Sequence, residues 1–133
     1  LQDVAEHDPE RAAEVEKLLA MQSGCPAGDG LANVDNRGDV HLCPYWQSRT
    51  IGNVREKKLS EIWFDEEIEI LAKMRDKTRY LKDKCGRCKL SHLCMGCRVR
   101  AEVACGDPFG EDPACYLTEE EISGAKVRLH DRG

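Results

Sequence analysis

The stretch Cys85-Gly-Arg-Cys88-Lys-Leu-Ser-His-Leu-Cys94-Met-Gly-Cys97 places four thiols within thirteen residues. The residues between these cysteines are mostly charged, polar or glycine, which a packed core would not use. Thiolates are soft ligands that suit iron–sulfur clusters, zinc or copper(I), and a CxxC pair lets two of them reach one centre from a tight loop. We therefore predict that this stretch binds metal and that the metal organises the fold.

The composition of the chain excludes several functional classes. The 133 residues correspond to about one domain, and an aromatic content of 5% predicts a thin apolar core. A net charge of −5 lacks the basic footprint of a nucleic-acid binder, and no apolar run approaches the roughly 20 residues that span a bilayer. We expect no nucleic-acid partner and no membrane partner, and a cytoplasmic location is the default prediction.

Eight cysteines could instead form four disulfides in a secreted domain. Three features argue against disulfides: the CxxC pairs, the absence of a basic and apolar leader at the start, and a length above that of most disulfide-stapled modules. The chain also begins without Met, inside a helix-like sequence. We therefore expect it to be part of a longer protein.

The pattern around the cysteine stretch predicts a small α+β fold with an N-terminal helix, one β-hairpin, short helices and cysteine-rich loops. The segment 1–24 is predicted to contain a helix from Asp8, its N-cap, to Met21. The one-sided apolar stripe of this helix is expected to pack on a neighbouring domain that is absent here. Residues 31–43 predict a β-hairpin that turns at Gly38. The hairpin should bring the cysteines on either side of it, Cys25 and Cys43, together.

Other elements complete the prediction. Trp63 and Phe64 are expected to supply much of the core, and Thr118-Glu-Glu-Glu121 is predicted to cap a short last helix. The predicted segments are the N-terminal helix in 1–24, a metal-organised domain in 25–117, and a C-terminal helix and tail in 118–133.

The spacing of the cysteines discriminates between zinc and an iron–sulfur cluster. Cys88 and Cys94 are separated by five residues, too few for two zinc knuckles that face one another across a ribbon. An iron–sulfur cube accepts four thiolates that lie farther apart, and one of them can come from a distant part of the chain. Iron–sulfur is therefore the first prediction, and zinc is the alternative.

Seven of the cysteines have a spacing that resembles the SPASM domain, the C-terminal auxiliary-cluster domain of many radical S-adenosylmethionine (SAM) enzymes. The segment Leu59-Ser-Glu-Ile-Trp63 is also similar to the connecting segment of that family. Only Met95-Gly96 separates Cys94 from Cys97, where the family usually has three residues. With Arg98-Val-Arg-Ala101 after it, this shortened gap most resembles the members that act in heme and heme d1 biosynthesis.

The resemblance implies two interleaved 4Fe-4S clusters with separate sets of ligands. It assigns one closed cluster to Cys85, Cys88, Cys94 and Cys115, and a second cluster to Cys25, Cys43 and Cys97. The second cluster then lacks a fourth cysteine, because residues 26–42 contain none.

Three other residues are candidates for the missing ligand: Cys105, His41 and His92. Cys105 lies eight residues after Cys97 in a predicted helix, which is about 12 Å along the helix axis and too far for one cube. We expect Cys105 to be a small buried thiol. We expect His41 and His92 to face solvent or to be hydrogen-bonded.

The resemblance implies an auxiliary-cluster domain that serves electron transfer or substrate binding in the modification of a heme-type precursor or a peptide. The chain has no CxxxCxxC triad for a SAM-binding cluster, so SAM would bind only to an absent core domain, and the chain alone cannot start radical chemistry. Whether the whole protein is an enzyme depends on that core. The alternatives are a separate iron–sulfur partner of a radical SAM system and a zinc-stabilised interaction domain.

Overall fold

The computed structural model describes residues 2–22 and 24–124. Short helices and one small antiparallel sheet confirm the predicted α+β class. No helix within these residues is long and apolar enough to cross a membrane. The elements in chain order are α1 (Gln2–His7), α2 (Pro9–Gln22), β1 (Asn33–Val34), β2 (Asp39–His41), β3 (Thr50–Asn53), α3 (Leu59–Trp63), α4 (Glu69–Arg75), α5 (Lys77–Tyr80), α6 (Asp83–Arg87), α7 (Ser91–Cys94), α8 (Arg98–Cys105) and α9 (Glu119–Ile122).

These elements divide into two compact units. The sheet unit contains residues 26–80, and the cysteine unit contains the described residues of 1–25 and 81–133. In the sheet unit, β1 pairs antiparallel with β2, which confirms the predicted hairpin. Gly38 in its turn has a φ of +91°, a conformation that glycine adopts without steric cost. The sequence predicts two strands here, and the structure adds a third, because β3 pairs antiparallel with the other edge of β2.

The aromatic core of the sheet unit differs from the prediction. Trp46 is fully buried, whereas Phe64 is 72% exposed and Trp63 is only half-buried. Ile62 is the buried residue of α3, and a Cβ at Gly52 would lie 2.9 Å from its side chain, so glycine lets α3 approach β3 closely. Successive helical residues are rotated by about 100°, so a helix that turns Ile62 inward turns Phe64 outward.

In the cysteine unit, the backbone N–H of Arg11 donates to Asp8 Oδ1 at 3.0 Å, which confirms the predicted N-cap of α2. The helix contacts α7, and Glu16 Oε1 lies 3.3 Å from His92 Nε2. Leu18, Leu19 and Met21 on α2 are exposed. Packing of this stripe on an absent domain stays a prediction.

The C-terminal elements follow the predicted helix signals. Helix α8 ends at Gly106, which has a φ of +77°. Thr118 Oγ1 accepts the N–H of Glu121, and the Glu121 carboxylate accepts the N–H of Thr118, so the predicted capping box of α9 is confirmed. The predicted tail lies mostly in residues 125–133, outside the described residues.

Candidate metal centre

Two short helices carry three thiols of the predicted closed cluster. Cys85 lies within α6, Cys88 is the residue that ends it, and Cys94 is the last residue of α7, which contacts α6. A Cβ at Gly86 would lie 2.5 Å from the carbonyl oxygen of Leu81. Glycine is therefore required inside this CxxC pair, because any side chain there would collide with the backbone.

The chain after α8, residues 106–115, returns to the start of α6 and is called the returning segment. The backbone N–H of Lys82 donates to the carbonyl of Phe109 at 2.8 Å, and Lys82 Nζ pairs with Asp107 Oδ2 at 2.5 Å. The hydrogen bond from Lys82 is the main reason that the pKa of Asp107 lies below its usual value. These contacts hold the beginning of the returning segment beside the helix that carries Cys85.

Asp112 connects the returning segment to the cysteines themselves. Its backbone N–H donates to Cys85 Sγ at 3.4 Å, and its Oδ2 accepts the backbone N–H of Cys97 at 2.7 Å. Its carboxylate also binds both Nε and Nη2 of Arg100, at 2.9 and 2.7 Å. Asp112 thus touches one residue from each of the two predicted ligand sets.

The pKa of the Cys88 thiol responds to the other three cysteines of the predicted closed cluster. Burial raises the pKa of the Cys88 thiol, a backbone hydrogen bond from Leu90 lowers it, and the negative charges of Cys115, Cys94 and Cys85 raise it further. Like charges act this way only when they are close in space. A bound cationic metal centre would relieve this repulsion, because metal binding requires the thiolate form.

The donor set fits an iron–sulfur cluster in its chemistry. Its thiolates are soft donors, the class that binds iron–sulfur clusters. Within the described residues, no group of three His, Cys, Asp or Glu side chains is arranged to hold a metal ion. Cys85 Sγ already accepts two N–H groups, from Asp112 and Arg98, and hydrogen bonds to sulfur are a usual feature of cluster sites. Cys85, Cys88, Cys94 and Cys115 are the residues that would hold it.

The second ligand set is distributed over the two units. Cys97 is the residue before α8, and the segment before Cys25 lies against the same loop, because a Cβ at Gly24 would be 3.1 Å from Met95 Sδ. Cys43 belongs to the sheet unit. Its neighbour Leu42 accepts the N–H of Gly28 at 3.2 Å, so the loop that follows Cys25 lies beside the end of β2. The assignment of these three cysteines to one cluster stays a prediction.

Comparison with known proteins identifies the family. Residues 25–89 match the profile of SPASM, an iron–sulfur cluster-binding domain. The chain is 45% identical over 119 residues to the Fe-coproporphyrin III synthase of Methanosarcina barkeri, and the match covers 86% of this chain and 30% of that protein. The chain carries a SPASM domain in residues 25–89. No solved structure gives a significant match.

Two further proteins similar to this chain have names that refer to heme. The chain is 41% identical over 116 residues to the pre-heme d1 synthase of Dinoroseobacter shibae, a match that covers 86% of this chain and 28% of that protein. It is 43% identical over 96 residues to the AdoMet-dependent heme synthase of Methanosarcina barkeri, covering 72% of this chain and 26% of that protein. The chain spans less than a third of each relative. These similarities confirm the predicted resemblance to the heme-type radical SAM proteins.

One prediction about the eighth cysteine is wrong. Cys105 is exposed rather than buried, and it ends α8 with its thiol 3.2 Å from the carbonyl of Ala101. Cys105 is the last residue of α8, and the chain leaves the helix at Gly106. The helix predicted between Cys97 and Cys105 is confirmed as α8, which begins one residue later at Arg98, so the rise along it still separates Cys105 from Cys97.

Both histidines are hydrogen-bonded, as predicted. His41 is fully buried, with Nδ1 2.9 Å from the carbonyl oxygen of Arg49 and Nε2 3.3 Å from Asp35 Oδ2. His92 is exposed and faces Glu16. In this SPASM domain both ring nitrogens of His41 are therefore already used within the sheet unit.

Sequence reasoning missed two residues at the site. Asp112 and Arg98 are both buried, although both are charged. The clue for Asp112 is its position before Pro113 in an irregular segment, where an Asp side chain commonly bonds nearby backbone groups. Arg98 lies on a short helix with mixed charges, and no local pattern distinguishes it from Arg100, which is exposed.

Proposed function

We propose that this chain holds two 4Fe-4S clusters and is the auxiliary-cluster part of a radical SAM enzyme that modifies a porphyrin-type precursor. The observation that carries the proposal is that the segment after α8 returns to the other cysteines: the N–H of Asp112 donates to Cys85 Sγ, and its carboxylate accepts the N–H of Cys97. Cys115 follows three residues later, with its carbonyl oxygen 3.4 Å from Lys84 Nζ of α6. Zinc is the alternative metal.

The choice of substrate class rests on the relatives. The names of three similar proteins refer to coproporphyrin, heme d1 or heme, and all three proteins are named as synthases. The two-residue gap at Met95-Gly96 supports the same group. A peptide substrate is the second candidate, since the SPASM resemblance extends to enzymes that modify peptides.

The proposed partner is a radical SAM catalytic domain in the same or a separate chain. The chain has no CxxxCxxC triad and spans less than a third of its relatives. The exposed Leu18, Leu19 and Met21 of α2 offer an apolar surface for such a domain. A CxxxCxxC motif encoded upstream of Leu1 in the same reading frame would assign the catalytic domain to the same chain.

Within this proposal the two clusters have different roles. The set Cys85, Cys88, Cys94 and Cys115 provides four ligands and would serve as an electron relay. The set Cys25, Cys43 and Cys97 provides three, which leaves one iron free to bind the substrate or a small ligand, as the open position of a catalytic metal site does. Cys105 is not a ligand in this assignment, because α8 carries it away from Cys97.

The number and type of clusters test the proposal. The chain purified without oxygen should contain about eight iron and eight sulfide per molecule, and Mössbauer spectra should fit two 4Fe-4S clusters. The variant Cys105→Ser should keep the same iron content and the same EPR signals, whereas Cys97→Ser should lose one cluster. Stoichiometric zinc without sulfide would overturn the proposal. Loss of a cluster in Cys105→Ser would overturn the three-cysteine assignment.

A further inference from the structure

Arg98 is a fully buried cation next to the predicted closed cluster. Its exposed fraction is 0%, and its Nη1 donates to the carbonyl oxygens of Pro108 and Gly110 at 3.1 and 2.8 Å. Its Nη2 donates to Cys85 Sγ at 3.5 Å. The guanidinium is thus held by two backbone groups of the returning segment and directed at a ligand sulfur.

The bonds of Arg98 do not balance its charge. Within residues 2–22 and 24–124, all three acceptors of its guanidinium are uncharged when Cys85 is a thiol, and its buried Nε has no hydrogen-bond partner. The two carboxylates of the region are hydrogen-bonded to other cations: Asp112 to Arg100 and Asp107 to Lys82. Asp107 acts on Arg98 only through its charge, which helps to lower the pKa of Asp107. A buried cation whose hydrogen-bond acceptors are all uncharged is unfavourable, so a further anion is expected beside it.

The local backbone is adapted to this arginine. A Cβ at Gly96 would overlap the Nη2 of Arg98, and Gly96 has a φ of +59°. The loop between Cys94 and Cys97 therefore leaves space for the guanidinium at the position where it reaches Cys85. An arginine that only filled space would not need to direct its guanidinium at a ligand sulfur.

We propose that Arg98 is a positioning residue that raises the reduction potential of the cluster held by Cys85, Cys88, Cys94 and Cys115. The inference rests on the proposed function, since it needs that cluster. On reduction the cluster takes one electron from a donor such as dithionite, and no bond or proton is transferred. Its negative charge increases by one unit, so a fixed buried cation stabilises the reduced form more than the oxidised form.

The test is an EPR-monitored redox titration of the full chain, loaded with iron and sulfide without oxygen. The signal that disappears in Cys115→Ser identifies the cluster in question. Arg98→Met removes the charge at similar volume and should lower the equilibrium constant for one-electron reduction about tenfold, which is about 59 mV for one electron. Arg98→Lys keeps the charge. Its cluster should therefore retain at least half of the difference in reduction potential between the wild type and Arg98→Met.

A matched control compares the effect of a buried arginine on the reduction potential with the effect of an exposed one. Arg87 lies in the same CxxC pair but is exposed and pairs with Glu119 at 3.2 Å. Because water and salt screen exposed charges, Arg87→Met should leave the potential unchanged. An equal shift in Arg87→Met and Arg98→Met would overturn the inference, as would an unchanged potential in Arg98→Met.

A further measurement covers the case in which the Arg98 variants do not hold the cluster. In the wild-type chain grown with arginine labelled by a heavy nitrogen isotope, ENDOR should detect a nitrogen coupling to the reduced cluster, and its absence would overturn the inference. The iron content of the wild type distinguishes a failure of the proposed function from a failure of the proposed role of Arg98. A wild-type chain without a 4Fe-4S cluster contradicts the proposed function, whereas a normal cluster with an unchanged potential in Arg98→Met contradicts only the role of Arg98.

Discussion

Met95 and Gly96 both adopt positive φ angles, of +57° and +59°. Two such residues in succession reverse the chain within a short distance, as in tight turns. This explains how a two-residue gap can connect Cys94 to Cys97. Gly96 has a second constraint, because a Cβ there would lie 2.9 Å from the Cβ of Asp112 and would overlap Arg98.

We predict that Gly96→Ala destabilises the chain more than Gly106→Ala does. Both glycines have positive φ, so each substitution should cost about 1–2 kcal/mol for the left-handed backbone. A Cβ at Gly106 has nothing within 4 Å, whereas one at Gly96 collides with two buried side chains. Denaturant unfolding of the two metal-loaded variants measures the difference. Equal losses of unfolding free energy would show that the collision is relieved at no cost.

The low pKa of Asp35, in the turn between β1 and β2, predicts that the stability of the sheet unit depends on pH. Burial acts to raise the pKa of Asp35, but hydrogen bonds from His41, Asp39 and Arg37 together outweigh it and lower the pKa to about 2. Between that value and the usual carboxyl pKa of about 4, the unfolded chain binds the proton more readily than the folded chain. The contribution of the ionised Asp35 carboxylate to the unfolding free energy is therefore complete above about pH 4, and it is lost as the pH falls towards 2.

The variant Asp35→Asn tests this dependence. Its unfolding free energy should be lower than that of the wild type at neutral pH, and the difference should shrink as the pH falls from about 4 to about 2. Trp46 and Trp63 both lie in the sheet unit, so their fluorescence reports its unfolding. The metal-free chain is used because acid releases iron from clusters. A difference that stays constant over this pH range would contradict the prediction.

At the scale of elements, the helices that carry the cysteines are too short to be stable alone. Helices α6, α7 and α8 contain five, four and eight residues, whereas isolated helices shorter than about 12 residues are marginal in water. Few apolar side chains of this region are buried, and Arg98 and Asp112 occupy interior positions. Metal binding is therefore expected to supply much of the folding energy here.

Removal of metal should unfold the segment from Cys85 to Cys115. We expect a large loss of helical circular dichroism on chelation or oxidation, because the energy of metal binding is also folding energy. The sheet unit has its own core around Val40, Leu42 and Trp46, so tryptophan fluorescence should change much less. Unchanged dichroism together with an unchanged melting temperature would contradict this expectation.

At the scale of the whole molecule, the distant Cys115 is the ligand that closes the predicted cluster. Asp112, three residues earlier, already bonds to Cys85, and Lys84 Nζ lies 3.4 Å from the carbonyl oxygen of Cys115. The closing ligand thus depends on a returning segment that is attached along its length to α6 and α8.

We predict that Cys115→Ser removes one cluster and leaves the other. Iron content should fall to about half, and the remaining EPR signal should be the one that Cys97→Ser removes, because the two ligand sets share no cysteine. The double variant should then contain no cluster. Loss of both clusters in Cys115→Ser alone would contradict separate ligand sets.

The sequence by itself determined the family, the α+β class, the hairpin that turns at Gly38, and the caps at Asp8 and Thr118. These features depend on residues close to one another in the chain: a glycine in a turn, a side chain that bonds the next backbone turn, or thiols at short fixed spacing. Local chemistry of this kind can be recognised without knowing what packs where.

Only the tertiary structure decided which residues lie in the interior. It buried Trp46 and exposed Phe64, it left Cys105 open at the end of α8, and it added β3 to the hairpin. It also placed Arg98 against Cys85 while Arg100, two residues later, stayed exposed. Burial depends on contacts between residues that are distant in the chain, and two arginines with the same local propensity differ only in which face of α8 meets the returning segment.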